Sequence, residues 1–190
     1  MKKLYVIAGP NGAGKTTASY TILPEILDCK EFVNADEIAK GLSPFQPEKV
    51  AIEAGRIMLD RIQHLLESGE NFAFETTLSS KSFVNFITKA KAQGYEPILL
   101  FFYLNSPELA ISRVRTRVAE GGHNIPEEVI RRRYKNGLEN FFKLYMAIIE
   151  NWMFVDNSKK PFKLIAKMNS GTISIFKTNL WKELTKNHDN

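Results

Sequence analysis

The stretch Gly9-Pro10-Asn11-Gly12-Ala13-Gly14-Lys15-Thr16 matches the pattern G-x-x-x-x-G-K-[ST] at every fixed position. It directly follows the apolar run Leu4–Ala8, which predicts a buried strand that ends where the glycines begin. Because glycine adopts positive φ freely, such a loop can wrap a polyphosphate with its backbone N–H groups turned inward. The stretch therefore predicts a phosphate-binding loop between a strand and a helix.

The side chains that follow the glycines have separate predicted roles. We expect Lys15 to reach the β- and γ-phosphates, Thr16 to ligate Mg²⁺ and Thr17 to contact the α-phosphate. The expected ligand is a polyphosphate together with Mg²⁺, bound by residues 9–17. Without ligand, Lys15 is expected to be largely solvated. The alternative is a glycine-rich turn with no ligand, but such a turn needs neither a lysine nor a hydroxyl at these positions.

Composition limits the class of protein. The chain has 190 residues, of which 44% are hydrophobic and 25% charged, so we expect one well-buried domain over residues 1–190. The single cysteine, Cys29, cannot form an internal disulfide, and the sequence shows neither an apolar N-terminal h-region nor a run of 18 apolar residues. We therefore expect a soluble, cytoplasmic protein that does not bind membranes. The net charge of +5 suits an anionic ligand but is too small to argue for nucleic acid.

Short apolar runs alternate with helical patterns along most of the chain, which indicates an α/β fold with a mostly parallel sheet flanked by helices. Strands are predicted at 3–8, 31–34, 71–75 and 97–104, and helices at 15–23, 47–68, 81–92, 107–120 and 126–149. Beyond residue 150 the pattern predicts shorter strands at 152–155, 162–166 and 172–176 and a last helix that ends near Thr185. Trp152 and Trp181 are expected to be core residues.

Two carboxylates are predicted to lie beside the phosphate loop. Switch ATPases hold Mg²⁺ with an Asp after a long apolar strand, but here the strand at 97–104 is followed by Asn105. Asp36 and Glu75 instead follow two other strands, and ligands of open α/β sheets bind at those carboxyl ends. Two acids beside a polyphosphate suit a kinase that deprotonates an acceptor hydroxyl. Asp36 could alternatively cap the turn 35–38, and Glu75 could form a structural salt bridge.

The hydroxyls after Glu75 are a weaker signal. Thr76 and Thr77 stand where an acceptor could bind, so we expect them to contact the substrate. The alternative is that their side chains only satisfy polar groups of the loop that follows the strand.

A basic segment is predicted to form a lid over about 107–140. Seven basic and three acidic residues lie between Arg113 and Lys135, a net charge of +4 in one stretch. Arg113 and Arg117 share one helical face, opposite the apolar stripe on the same helix, so both can face a cleft. They are the predicted catalytic arginines, although basic residues are also common on solvated faces.

A flexible joint and a second helix complete the predicted lid. Residues 121–124 contain two glycines, and His123 within this joint is a predicted substrate contact, as is Arg133 on the next helix. By helical phase Arg132 points to solvent. Two arginine-bearing helices joined by glycines describe a lid that closes over a phosphoryl group and excludes water.

These motifs together resemble the zeta-toxin family of small P-loop kinases, in its short bacterial form. The segments that carry the resemblance are 9–17, 34–38, 74–79 and 113–134, and the likeness covers residues 1 to about 157. At Gly122-His123-Asn124 the chain departs from the long family members, which have a second lid arginine there.

The resemblance implies an activity and a set of roles. The implied reaction is phosphorylation of the 3′ hydroxyl of a UDP-N-acetyl amino sugar, such as UDP-N-acetylglucosamine, by ATP or GTP with Mg²⁺. Asp36 would be the general base, Glu75 a substrate-contacting acid and Arg113 a lid arginine on the transferring phosphoryl group. Lys15 and Thr16 would be the phosphate and metal ligands. An antitoxin protein is the implied partner.

Two other functions remain open from the sequence. One is a kinase of the same architecture that acts on a nucleoside, a small metabolite or a polynucleotide 5′-hydroxyl. The other is a nucleotide switch that regulates a partner protein. A polynucleotide kinase should bind through a basic groove in a salt-dependent manner, whereas a switch should lack a productive acceptor site and hydrolyse ATP slowly.

Overall fold

A computed structural model describes residues 1–122 and 124–188 of the chain. Its strands are β1 (Lys2–Ala8), β2 (Glu31–Val33), β3 (Phe72–Thr76), β4 (Tyr95–Tyr103), β5 (Asn151–Asp156), β6 (Lys163–Asn169) and β7 (Thr172–Ile175). In the described part of the chain they form one sheet in the order β2-β3-β1-β4-β5-β6-β7. The pairs from β2 to β5 are parallel, and β6 and β7 join antiparallel. The carboxyl ends of five strands therefore meet at one edge.

Helices cover both faces of this sheet. They are α1 (Lys15–Thr21), α2 (Ala35–Leu42), α3 (Ala51–Ser68), α4 (Phe83–Ala92), α5 (Pro107–Ala119), α6 (Glu127–Asn140), α7 (Met146–Ile148) and α8 (Thr178–Lys186). Successive residues of β1 alternate between two hydrophobic clusters, because neighbouring strand side chains point to opposite faces. None of the helices described is both long and apolar enough to cross a membrane.

The predicted fold class is confirmed, since the sheet is mostly parallel and flanked by helices as in P-loop NTPases. Trp152 and Trp181 are buried and stack on each other with ring centroids 5.5 Å apart, as expected of core residues. The C-terminal strands and α8 thus extend the same core. They add two antiparallel strands beside β5.

The element that the sequence patterns missed is α2. Residues 35–38, interpreted as a turn, are the first turn of this helix. Asn34 caps it by accepting a hydrogen bond from the Asp36 N–H at 2.8 Å, and two acids in the first turn favour a helix N-terminus. The capping residue is therefore Asn34 and not Asp36.

Two predicted helices each include a π-helical turn. α1 ends earlier than expected and continues as a π-helical turn over Ile22–Ile26, where Pro24 has no N–H for an ordinary helical bond. The helix predicted over 126–149 is interrupted by a second π-helical turn at Phe141–Tyr145. Around this turn Asn140 and Tyr145 are buried and donate hydrogen bonds to Leu78 O and Ser80 O. The turn therefore packs against the loop that follows β3.

Candidate active site

The phosphate loop, residues 9–16, connects β1 to α1 in a conformation that requires its glycines. Gly9, Gly12 and Gly14 have φ of 138°, 74° and 78°. A Cβ on Gly9 would stand 2.2 Å from Phe102 O, and one on Gly12 would stand 2.8 Å from Ala110 O. Larger residues would therefore clash with backbone as well as strain the loop.

Two neighbouring segments hold the outside of this loop. Asn157, after β5, donates from Nδ2 to Ala13 O at 2.8 Å. Arg113, on α5, donates to Gly12 O at 3.4 Å and to Ser158 O at 3.0 Å. Asn157 and Ser158 were not predicted as site residues, yet polar residues after a parallel strand are the same signal that singled out Asp36. Arg113 links the loop to the segment after β5.

Lys15 is buried rather than solvated, which corrects the expectation from the sequence. Its side chain is 5% exposed; Nζ donates to Pro10 O at 3.0 Å and lies 3.4 Å from Glu75 Oε1. The reason is the position of Glu75: β1 and β3 are neighbours, and Ile7 pairs with Glu75 at their carboxyl ends. The two charges are therefore paired inside the site.

Glu75 is the centre of a compact polar network. Thr16 donates from Oγ1 to Glu75 Oε2 at 2.7 Å, and Asn34 donates from Nδ2 to the same oxygen at 2.9 Å. Lys15 contacts the other carboxylate oxygen. Glu75 thus lies beside the predicted metal ligand Thr16, on the phosphate side of the site. Within the described ranges, no group of three or more His, Cys, Asp or Glu side chains could hold a metal ion.

Asp36 lies at the open side of the site, beside two arginines. Its Oδ2 is 3.7 Å from Arg117 NH1, and both side chains are partly exposed. Arg133 donates from NH1 to Asn11 Oδ1 of the phosphate loop at 3.5 Å. Burial lowers the pKa of the Arg133 guanidinium, and the charge of Asp36 acts in the opposite direction. Both arginines face a position between the loop and Asp36, whereas Arg132 is exposed as predicted.

The predicted lid is anchored at its inner ends. Ile111 and Val114 on α5 and Ile130 on α6 are buried in the same hydrophobic cluster. Both helices of the segment 107–140 are therefore anchored in the core of the domain. His123 lies outside the described residues.

A cleft of about 640 Å³ opens between the joint and the end of α2. It is lined by Lys40, Pro44, Phe45, Pro47, Glu48, Gly121, Gly122, Asn124 and Pro126. Phe45 is 97% exposed, although an apolar ring of this size is normally covered. The cleft borders the C-terminal end of α2, the helix that carries Asp36, and the residues just after α5, the helix that carries Arg117.

The hydroxyls after Glu75 make contacts within their own loop. Thr76 Oγ1 accepts from Leu78 N at 3.1 Å, and Thr77 Oγ1 is 2.9 Å from Ser79 Oγ. A Cβ on Gly137 of α6 would stand 2.2 Å from Thr77 O, so this loop packs directly on α6. These contacts agree with the alternative stated from the sequence, in which the Thr76 and Thr77 hydroxyls satisfy polar groups of the loop after the strand. Thr17, on the first turn of α1, is exposed.

A protein-family model described as zeta toxin matches residues 1–169, which include the phosphate loop, Asp36, Glu75 and the basic helices. The chain belongs to the zeta-toxin family. This confirms the family that the motifs indicated and extends the match beyond residue 157. An uncharacterized protein of Haemophilus influenzae is 29% identical to this zeta-toxin family member over 140 residues, which are 70% of this chain and 98% of the relative.

Solved structures share the fold of this zeta-toxin family member at low sequence identity. A chain of the AvrRxo1-ORF1:AvrRxo1-ORF2 complex with sulphate ions superposes with a TM-score of 0.79 at 18% identity. The match covers 97% of this chain but spans only 64% of that one. A chain of the PezAT chromosomal toxin–antitoxin system of Streptococcus pneumoniae matches with a TM-score of 0.62 at 18% identity, covering 99% of this chain and 87% of that chain. A gluconokinase from Sinorhizobium meliloti gives 0.54 at 15% identity, with 83% of each chain covered.

Proposed function

We propose that this protein is a P-loop kinase that transfers the γ-phosphoryl group of ATP or GTP to a hydroxyl of a small acceptor, with Mg²⁺. The observation that carries the proposal is the position of Asp36. Its carboxylate lies beside Arg117, and Asn34, which caps the helix of Asp36, also contacts Thr16 after the phosphate loop, so Asp36 could take a proton from an acceptor bound near the phosphates. Membership of the zeta-toxin family supports the same reaction.

The residues of the loop fit a nucleotide. The cradle of positive-φ glycines leaves no room for side chains, which is what close approach of backbone N–H groups to phosphate oxygens requires. Lys15 and Thr16 follow directly and would hold the β- and γ-phosphates and the metal. When bound, ATP supplies the phosphoryl group, and Mg²⁺ neutralises part of its charge. A structure of the AvrRxo1 complex was determined with ATP.

We assign Glu75 to the metal side of the site rather than to the acceptor. Its carboxylate accepts from the Thr16 hydroxyl at 2.7 Å, and Mg²⁺ in such sites is held by a hydroxyl, one or two carboxylates, water and phosphate oxygens. Lys15 would leave Glu75 for the phosphates when nucleotide binds, which frees one carboxylate oxygen. Glu75 would then orient Mg²⁺ or its water.

Asp36 acts on the acceptor in the proposed mechanism. The acceptor oxygen forms a bond to the γ-phosphorus, the bond from that phosphorus to the bridging oxygen breaks, and the hydroxyl proton passes to Asp36. Lys15, Arg117 and Arg133 would stabilise the charge on the transferring group. Arg113, which links two backbone segments, would support the loop and the nucleotide from outside.

The acceptor itself is assigned from the family resemblance and the size of the cleft. We propose UDP-N-acetylglucosamine, phosphorylated at a sugar hydroxyl that reaches Asp36. The cleft of about 640 Å³ falls within the range of small-ligand sites, and its mouth carries the exposed ring of Phe45. An antitoxin protein that blocks this site is the proposed partner, and the proposed compartment is the cytoplasm.

The test is a transfer screen with γ-³²P-labelled ATP or GTP across nucleotide sugars, nucleosides, simple sugars and oligonucleotides. The expected result is labelled UDP-N-acetylglucosamine with the native chain and none with Lys15→Ala. Label on another small acceptor would keep the kinase and replace the substrate. Label only on oligonucleotides would make the protein a polynucleotide kinase. Label on no acceptor, only released phosphate, would contradict the proposal.

A further inference from the structure

Asn34 connects the carboxylate of Glu75 to the backbone of Asp36 through one side chain. Its amide nitrogen donates to Glu75 Oε2 at 2.9 Å and lies 3.3 Å from Thr16 Oγ1. Its amide oxygen accepts from the Asp36 N–H at 2.8 Å. The side chain is 6% exposed and sits where β2 ends and α2 begins.

The two ends of this amide serve different parts of the reaction. The oxygen fixes the N-terminus of α2 and so the backbone that carries Asp36. The nitrogen fixes one oxygen of Glu75 next to the Thr16 hydroxyl. A carboxylate could replace the first contact but not the second, because an ionised carboxylate has no N–H or O–H to donate.

We propose that Asn34 is a positioning residue that holds Glu75 for Mg²⁺. Through the same amide, it also fixes the distance between Glu75 and Asp36. The proposal rests on the proposed function for the role of Asp36, but the contact with Glu75 can be tested without phosphoryl transfer. Asn34 is unlike an ordinary helix cap in this respect. Caps satisfy backbone groups, whereas this side chain also bonds to a carboxylate from a different strand.

Two substitutions separate the capping contact from the contact with Glu75. Asn34→Ser and Asn34→Asp both keep a good N-cap for α2. The serine is too short to bridge to Glu75 and still cap the helix. The aspartate keeps the size, but its ionised carboxylate cannot donate to Glu75 and repels it.

The measurement is the Mg²⁺ concentration that half-saturates binding of a fluorescent ATP analogue. For Asn34→Ser we expect a rise of about tenfold, from the loss of one hydrogen bond to a charged group, with a melting temperature near that of the native chain. The control is Asn140→Ser. Asn140 is also buried, and among the described residues it donates to Leu78 O and not to Glu75 or Thr16, so its loss should lower the melting temperature and leave the Mg²⁺ dependence unchanged.

Transfer supplies the second readout. At saturating nucleotide and Mg²⁺ the kcat of Asn34→Asp should fall at least as far as that of Asn34→Ser, because an ionised carboxylate repels Glu75 instead of donating to it. Unchanged Mg²⁺ dependence in Asn34→Ser together with a native kcat in Asn34→Asp would reduce Asn34 to a cap and overturn the proposal. Nucleotide binding that is independent of Mg²⁺ in the native chain would also overturn it. Failure of transfer to every acceptor would instead contradict the kinase activity.

Discussion

The phosphate side and the acceptor side of the site are built in opposite ways. On the phosphate side Thr16 and Asn34 donate short hydrogen bonds to Glu75, and Lys15 pairs with the same carboxylate at 3.4 Å, in a largely buried network. On the acceptor side Asp36 and Arg117 stand 3.7 Å apart and partly exposed, and the cleft ends at the bare ring of Phe45. A site that must bind the same phosphates every time can be preformed, whereas one that closes over an acceptor gains by remaining open until it binds.

The strongest test of this contrast is Asp36→Asn. Asparagine keeps the size of the side chain but cannot take a proton, so the rate of transfer should fall by about 10²–10⁴-fold. The Kd for ATP should stay close to that of the native chain, because the preformed network does not use this carboxylate. Steady-state transfer and equilibrium nucleotide binding measure the two quantities.

Glu37→Gln is the matched control for Asp36→Asn. Glu37 lies in the same first turn of α2, but its carboxylate pairs with Lys40 on the surface. The Glu37→Gln variant should transfer phosphate at nearly the native rate. If Asp36→Asn kept normal turnover but lost thermal stability, Asp36 would be a structural residue of α2.

Lys15→Ala tests the phosphate side. Loss of a positive charge that meets the growing charge of the transition state should lower kcat/KM by about 10²–10³-fold. The fold should survive, since Glu75 keeps its hydrogen bonds from Thr16 and Asn34. Transfer rates and circular dichroism check both parts. Near-native transfer by this variant would contradict the assignment of the phosphate loop. The control is Lys143→Ala, which removes a surface lysine paired with Glu139 and should change neither the transfer rate nor the circular dichroism spectrum.

Three arginine substitutions test whether the two sides of the site have separate kinetic roles. Arg117→Ala should lower kcat by about tenfold or more, because its charge lies beside Asp36, the residue that we propose faces the transferring phosphoryl group. Arg113→Ala should instead raise KM for ATP, because its guanidinium holds the loop through Gly12 O and Ser158 O. The exposed Arg132→Ala should be nearly silent. Equal effects in all three variants would mean a diffuse basic surface instead of distinct roles.

The smallest expected effect is on the acceptor cleft. Phe45→Ala should raise KM for the acceptor by about three- to tenfold, the usual value of one aromatic contact, without changing KM for ATP. Phe176→Ala removes another partly exposed phenylalanine, at the end of β7, and is the control. An unchanged acceptor KM in Phe45→Ala would remove this ring from the site.

The same contrast explains what could be predicted from the sequence. The phosphate loop is a continuous stretch, so its glycines, Lys15 and Thr16 were identified by local pattern alone, and strand ends pointed to Asp36 and Glu75. The burial of Lys15 depends on β3 lying next to β1, which no local pattern contains. The cleft depends on the loop after α2 facing the joint after α5. The helix α2 itself could have been predicted, because Asn34 followed by Asp36 and Glu37 is an N-terminal signature.

The most direct test of the account is the fate of the γ-phosphate. Native chain and Asp36→Asn are incubated with γ-labelled ATP and Mg²⁺, with and without UDP-N-acetylglucosamine or the acceptor found by the screen, and label on the acceptor is compared with label in free phosphate. We expect the native chain to place most label on the acceptor and Asp36→Asn to place almost none there while still binding ATP. Release of free phosphate at the same rate with and without every acceptor, in both proteins, would contradict the account and identify a nucleotide switch.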